Sequence, residues 1–230
     1  EVPSGEIAGL IGPNGAGKTT FIDTLSGFTP ATSGRIQLDG EAIDQLAPHD
    51  RARRGLVRTF QSLELFDDLT VRENLLVAAE PPSRGSFLAD LFRSRPGDTG
   101  RVDQVLAELE LDHVGGRRPD ELSNGQRHLV ALARALVAEP RLVLLDEPAA
   151  GLDTHETAEL ADVLRTLPGR GVTVLLSGLP ERYVPRLEAT GIHQHLTALH
   201  HVFEHTPDAI DHARRHVARD GHHHDAAPVR

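Results

Sequence analysis

Cysteine, methionine and tryptophan are all missing from this chain, and the remaining aromatics make up only 3% of it. Without cysteine there are no disulfides and no thiol nucleophiles, a composition that suits a reducing compartment such as the cytoplasm. With so few aromatics, Leu, Val, Ile and Ala must build the core. No uncharged apolar run approaches the length of a membrane span, and the N-terminus lacks a signal-peptide pattern. A membrane role therefore needs a partner that supplies the spans. A basic excess is also lacking: 24 Lys and Arg face 34 Asp and Glu, for a net charge of -10. That balance argues against a nucleic-acid or anionic-membrane binder. The missing methionine, with Glu1 in first place, leads to the expectation of a fragment, a processed chain or an assembled one.

What is present is an ordinary globular composition, 39% hydrophobic and 25% charged over 230 residues. That length accommodates one large α/β domain, or a domain with a subdomain. Histidine is unevenly spread. Only His49, His113, His128 and His155 precede residue 190, and the other ten of the fourteen fall between His193 and His224. This shift is the clearest boundary signal in the chain.

The stretch "IAGLIGPNGAGKTTFIDTLSGF" (residues 7–28) reads as an apolar strand, a glycine-rich turn and a helix. Gly12, Gly17, Lys18 and Thr19 satisfy G-x-x-x-x-G-K-[ST] in its strand–loop–helix setting. The glycines let the backbone curl so that several N–H groups point inward, and the helix adds the positive end of its dipole. Lys18 is placed to bridge the β- and γ-phosphates of a nucleotide, and the Thr19 hydroxyl to ligate Mg²⁺. The competing reading, a glycine-rich turn before a helix, does not need this order of residues.

A second stretch, "PRLVLLDEPAAGLD" (residues 140–153), carries an uncharged apolar run that ends in Asp146 and Glu147. Such a run fits a central parallel strand, whose carboxyl end is where ligands sit in open α/β sheets. Asp146 is expected to hold Mg²⁺ directly or through water, and Glu147 to polarise the attacking water as a general base. Apolar runs ending in acids are common at strand ends, so the phosphate loop gives this one its meaning.

"ELSNGQRHLVALARALVAEPRLVLLDEPAAGLD" joins these elements, and here the chain resembles ATP-binding-cassette (ABC) ATPases. Leu122-Ser123-Asn124-Gly125-Gln126 is similar to the signature motif of that family. Taken alone, Ser-Asn-Gly is a helix N-cap and turn. The resemblance implies that Ser123 and the Gly125 N–H, with Asn124 and Gln126 around them, meet the γ-phosphate of ATP bound by a second subunit. The complete site then forms only in a head-to-tail dimer. It also implies that Pro13, Asn14, Gly15, Ala16 and Thr20 belong to the nucleotide loop. Gln61 is implied to sense Mg²⁺ and the transmembrane partner, with a catalytic and metal-side role. Asp153 matches the D-loop aspartate, although it could equally cap a helix beginning near Thr154.

"APHDRARRGLVRTFQSLELFDDLTVRENLLVA", "RGSFLADLFRSRPG" and "DEPAAGLD" look like ATP-binding subunits of branched-chain amino-acid importers. The likeness covers about residues 1–176. It implies ATP and Mg²⁺ as cofactors, a second ATP-binding subunit and a transmembrane permease as partners, and no nucleic acid. The implied place is cytoplasmic, peripheral on the inner face of the cell membrane. "RARRGLVR" reads as a charged helix end. The family also stacks adenine on an aromatic upstream of the phosphate loop, before this chain begins. If that contact is absent, stacking of about 1–3 kcal/mol is lost and ATP binding weakens about five- to a hundredfold.

"GVTVLLSGLPERYV" (residues 171–184) departs from the pattern. Family members follow this strand with a Glu-His pair whose histidine contacts the γ-phosphate and holds the attacking water. In register, that position is Leu179, which can neither donate to a phosphate nor orient water. Losing such a group costs a factor of about 10²–10³ in rate, so nucleotide binding with weak hydrolysis is expected. His193 and His195 are the nearby residues that could substitute. Residues 178–220 resemble the C-terminal half of a STAS domain, the cytoplasmic module of SulP-type anion transporters. That resemblance rests on "VLLSGL", "RLEATGI" and "HVFEHTPDAIDHAR", and implies a chimeric chain spliced near residues 170–178, the other reading being an unusual cassette with a divergent C-terminal region. His212 and His216 lie one helical turn apart and His222-His223-His224 could chelate weakly, but a solvated, histidine-rich end is the simpler account.

The expected architecture is an α/β P-loop NTPase core of the ABC type over residues 1–177. Strands are expected near 7–11, 142–146 and 172–177, with an inserted helical subdomain at about 62–135. A small STAS-like α/β tail spans 178–220, and a disordered histidine-rich end 221–230. The function this implies is the ATP-binding subunit of an ABC importer, an ATPase whose hydrolysis is weakened. The alternative is a non-enzymatic interaction module of an anion transporter, or a chimera. A cassette without a permease would be expected to carry tandem cassettes or a coiled-coil arm.

Overall fold

Alternation inside the apolar strands decides how the layers form. A computed structural model of the chain describes residues 2–10, 15–59, 63–79 and 96–178. Several expectations lie outside them: Gly12, Pro13 and Asn14 of the phosphate loop, Gln61, the "SFLADLF" segment, Leu179, His193, His195 and the tail. Among the described residues a parallel sheet is built from β1 (Ile7–Leu10), β4 (Leu56–Thr59), β5 (Leu142–Asp146) and β6 (Thr173–Ser177). Its spatial order is β1-β6-β5-β4, which puts β6 between the strand feeding the phosphate loop and the strand bearing the carboxylates. The expected strands appear within a residue of their bounds.

Both faces of this sheet are covered, as a parallel sheet requires. Because side chains alternate, Val143, Leu145, Val174 and Leu176 enter one core while Leu144 and Leu175 enter another. The first core is filled from α3 (Val71–Ala79), α4 (Pro96–Glu108), α5 (Asn124–Val137) and α6 (Thr154–Thr166). The second lies against α1 (Lys18–Ser26), through Ile22, and reaches Ile43 beyond the two-stranded ribbon of β2 (Gln37–Leu38) and β3 (Glu41–Ala42). Asp39 and Gly40 turn that ribbon with φ +50° and +78°, the backbone that a two-residue hairpin loop demands.

Arg51, in the last turn of α2 (Pro48–Arg53), belongs to the expected charged helix end but does not face solvent. It is buried, and its guanidinium donates to the carbonyls of Thr24 and Leu25 at 2.7 Å, Asp44 at 2.9 Å and Leu46 at 3.0 Å. Two of those carbonyls end α1, so one buried cation satisfies the last turn of the helix that follows the phosphate loop. Gly27 closes that helix in a left-handed conformation, and a Cβ there would lie 2.9 Å from Arg51 Nε. The run of arginines in "RARR" hides this because burial is set by packing rather than by the run of charges.

Candidate functional site

The phosphate side is built from β1 and α1. After β1 the described chain resumes at Gly15, which has φ +82°, and Gly17 follows with φ +87°. Both values lie where a side chain is strained, and a Cβ at either glycine would meet nothing within 4 Å. Gly17 is the N-cap of α1 and has no side chain to cap it, so the positive end of the helix is presented to the loop. Lys18 is half-buried in the first turn, while Ala16, Thr19 and Thr20 are exposed. Open space, left-handed glycines and an uncapped helix start are the features an anion needs.

The carboxylate side is built from β5 and β6. Asp146 ends β5, paired in register with Ser177 of β6, and Leu10 of β1 pairs with Ser177 from the other side. Asp146 is buried and lies on the sheet face of Leu144, towards α1. Arg58 of β4 is on the same face. Its guanidinium pairs with Asp23 of α1 and reaches Asp146 Oδ2 at 3.4 Å. The sequence reading passed over this arginine. Its partners lie 35 and 88 residues away, and only the parity of the strands could have put it beside Asp146.

Glu147 turns out of the strand with φ +50°, a conformation that costs a non-glycine residue about 1–2 kcal/mol. Its N–H donates to the Ser177 carbonyl at 2.8 Å, which fixes where the turn begins. Its side chain lies over Gly178, where a Cβ would come within 2.2 Å of Glu147 Cγ. A groove that Thr59, His128 and the two acids share with Leu132, Leu145 and Leu160 runs beside them. His128 was not foreseen as part of it. The buried Ser177 hydroxyl has no hydrogen-bond partner among the described residues, so the strand end between the loop and Asp146 carries an unsatisfied polar group. Together with the open loop, this fits a phosphate and a hard cation. Asp146 and Thr19 would hold Mg²⁺, which when bound neutralises phosphate charge.

Ser123 caps α5, and the cap is reciprocal. Its hydroxyl accepts from the Gln126 N–H at 3.1 Å while Gln126 Oε1 accepts from the Ser123 N–H at 3.0 Å. Asp153 caps α6 in the same way, accepting from His155 and Glu156 N–H groups at 2.7 and 2.9 Å. These two caps are tied together. Asn124 Nδ2 donates to the Gly151 carbonyl at 2.9 Å, and the Gly125 N–H donates to Glu156 Oε1 at 2.7 Å. The sequence reading offered the Gly125 amide to an anion, and the structure supplies one from inside the chain.

Gln61 is outside the described residues, but the segment after it is fastened on two sides. Arg134 of α5 donates to the Glu64 carbonyl at 2.5 Å and lies 5.1 Å from the centre of the Phe66 ring. Burial lowers the Arg134 pKa from its ordinary value, and Glu64 opposes that shift. Asn74 of α3 pairs with both the N–H and the carbonyl of Phe66, at 2.9 and 3.1 Å. The segment leading from Gln61 is thereby anchored to the helix that the signature turn opens.

A parallel sheet with glycines between its first strand and α1, and two acids at the end of the strand two places along, defines a nucleotide-binding cassette. The chain belongs to the ABC transporter family, whose family model matches residues 1–150. It is 41% identical over 183 residues to the high-affinity branched-chain amino acid transport ATP-binding protein BraF of Pseudomonas aeruginosa, covering 76% of this chain and 72% of that one. It is 38% identical to LivG of Escherichia coli K12, of the same description, over 74% and 69% of the two chains. Identity to the lipopolysaccharide export system ATP-binding protein LptB of Haemophilus influenzae is also 38%, over 76% and 70%. Among solved structures, the ADP conformation of the cassette MJ1267 matches with a TM-score of 0.70 at 32% identity, covering 80% of this chain and 74% of that one. The dimeric post-hydrolysis state of MJ0796 bound to ADP and Pi matches with a TM-score of 0.65 at 26% identity, covering 78% and 77%. Membership of this family implies nucleotide binding. No helix among the described residues is long and apolar enough to cross a membrane.

Proposed function

We propose that this chain is the ATP-binding subunit of an importer for branched-chain amino acids. It binds Mg·ATP and works on a membrane permease from the inner face of the cell membrane. The observation that carries the reading is the juxtaposition in one sheet: the end of β1, which leads to the glycines before α1, and the end of β5 with its two acids flank the end of β6. Lys18 and the loop amides take the phosphates, Thr19 and Asp146 the metal side, and Glu147 the water. Ser123, Asn124, Gly125, Gln126 and Asp153 face the nucleotide of a second ATP-binding subunit. Gln61 links the metal side to the permease.

The solute class rests on similarity to BraF and LivG, with LptB as a competitor. Hydrolysis in this chain is slow because Leu179 stands where a water-holding histidine is expected, and a leucine holds no proton and donates none. The test of the assignment is transport. Co-expression with a branched-chain amino-acid permease is expected to restore leucine uptake in cells lacking their own ATP-binding subunit, and Lys18→Ala to abolish it. Assembly with a lipopolysaccharide exporter and not with the amino-acid permease would overturn it.

A further inference from the structure

The Gly125 amide belongs to the second residue of α5, where the helix cannot satisfy it. In this chain a carboxylate satisfies it. Glu156 spans two segments with its two oxygens: Oε1 accepts from Gly125 at 2.7 Å, and Oε2 accepts from the Asp153 N–H at 3.1 Å. The fit is close. A Cβ on Gly125 would meet Glu156 Cγ, Oε1 and Cδ at 2.7, 2.8 and 2.9 Å, so a side chain at 125 would push the glutamate aside. Asn124 donating to the Gly151 carbonyl holds the same two segments in register from the other side.

We propose that Glu156 is an intramolecular stand-in for phosphate: it occupies the signature-turn amide that the γ-phosphate of a second copy's ATP must take, and nucleotide-driven pairing has to displace it. This rests on the reading that Ser123 and Gly125 meet a nucleotide bound by another copy. One N–H cannot serve two anions, and a carboxylate beside a phosphate adds charge repulsion to the competition. Glu156 thus holds the turn closed while no nucleotide is opposite it and opposes premature pairing. Once displaced from Gly125 it keeps its bond to Asp153, so α6 remains capped through the exchange.

The chemistry suggests its own probe. A glutamine has one acceptor oxygen where glutamate has two, and Gln serves as well as Glu in the reciprocal cap with Asp153. Glu156→Gln therefore cannot hold both amides with its one oxygen, and keeping the cap of α6 leaves the Gly125 amide facing an NH₂ donor. Dimerisation of the full chain is measured by sedimentation equilibrium with the magnesium complex of a non-hydrolysable ATP analogue. Glu156→Gln is expected to pair about five- to tenfold more tightly than the parent with analogue, and no differently without it. Adding Ser123→Ala should reverse the gain. If Ser123→Ala weakens the parent dimer but Glu156→Gln pairs no more tightly, the stand-in idea is overturned while the functional reading survives. If the analogue drives no dimer in parent or variant, both fall. Hydrogen exchange on the unsubstituted chain gives a second measurement. The Gly125 amide should be protected without nucleotide, and rapid exchange there overturns the proposal.

Discussion

Glu147 and Leu179 carry the chemistry question at the level of single residues. Glu147 is held by its own N–H to Ser177 and by the bare backbone of Gly178, so its placement does not depend on a bound ligand. Under the proposed reading Glu147 is the base, and the residue two places beyond β6 is Leu179. On this account Leu179→His should raise the hydrolysis rate by about 10²–10³-fold with little change in ATP affinity. Steady-state phosphate release against an ATP-binding titration checks both halves. A parent rate already matching that of the histidine variant would show that another group, such as His128 in the groove, holds the water. Asp146 and Glu147 were legible as a strand end because an apolar run ended on them. Arg58 was not legible as their neighbour, because a cation inside a strand looks like an ordinary surface residue until pairing puts it against Asp146 and Asp23.

Among elements, α1 is the one on which most depends. It starts at an uncapped left-handed glycine and ends on carbonyls held by Arg51, so its position is set at the end remote from the phosphates. Replacing Arg51 by Met keeps much of the volume but leaves four carbonyls without that donor. The expected loss is about 2–5 kcal/mol, read as a lower urea midpoint at unchanged slope. A loss below about 0.5 kcal/mol would mean that water replaces the guanidinium freely. The helix itself could be foreseen from the glycine loop before it and Gly27 after it. Its anchoring could not, since the run "RARR" reads as a charged helix end. The caps show the same split: Ser123 with Gln126 and Asp153 with Glu156 are local patterns, visible at a spacing of three. The bond from Glu156 back to Gly125 spans 31 residues and exists only because α5 and α6 pack together.

At the scale of the whole molecule, strand order makes the site. With β6 between β1 and β5 and all three parallel, the carboxyl ends of β1 and β5 lie at the same end of the sheet, and two separate cores fix it from both faces. The order itself was not written in any local pattern, because it follows from which apolar strands share a face after the helices dock. The central claim is that the loop ending at Lys18 and Thr19 binds a magnesium–triphosphate complex. Calorimetric titration of the full chain with Mg·ATP tests it directly. The account predicts saturable binding at one site per chain, lost in Lys18→Ala. No heat of binding in the parent, or the same affinity in Lys18→Ala, would contradict it.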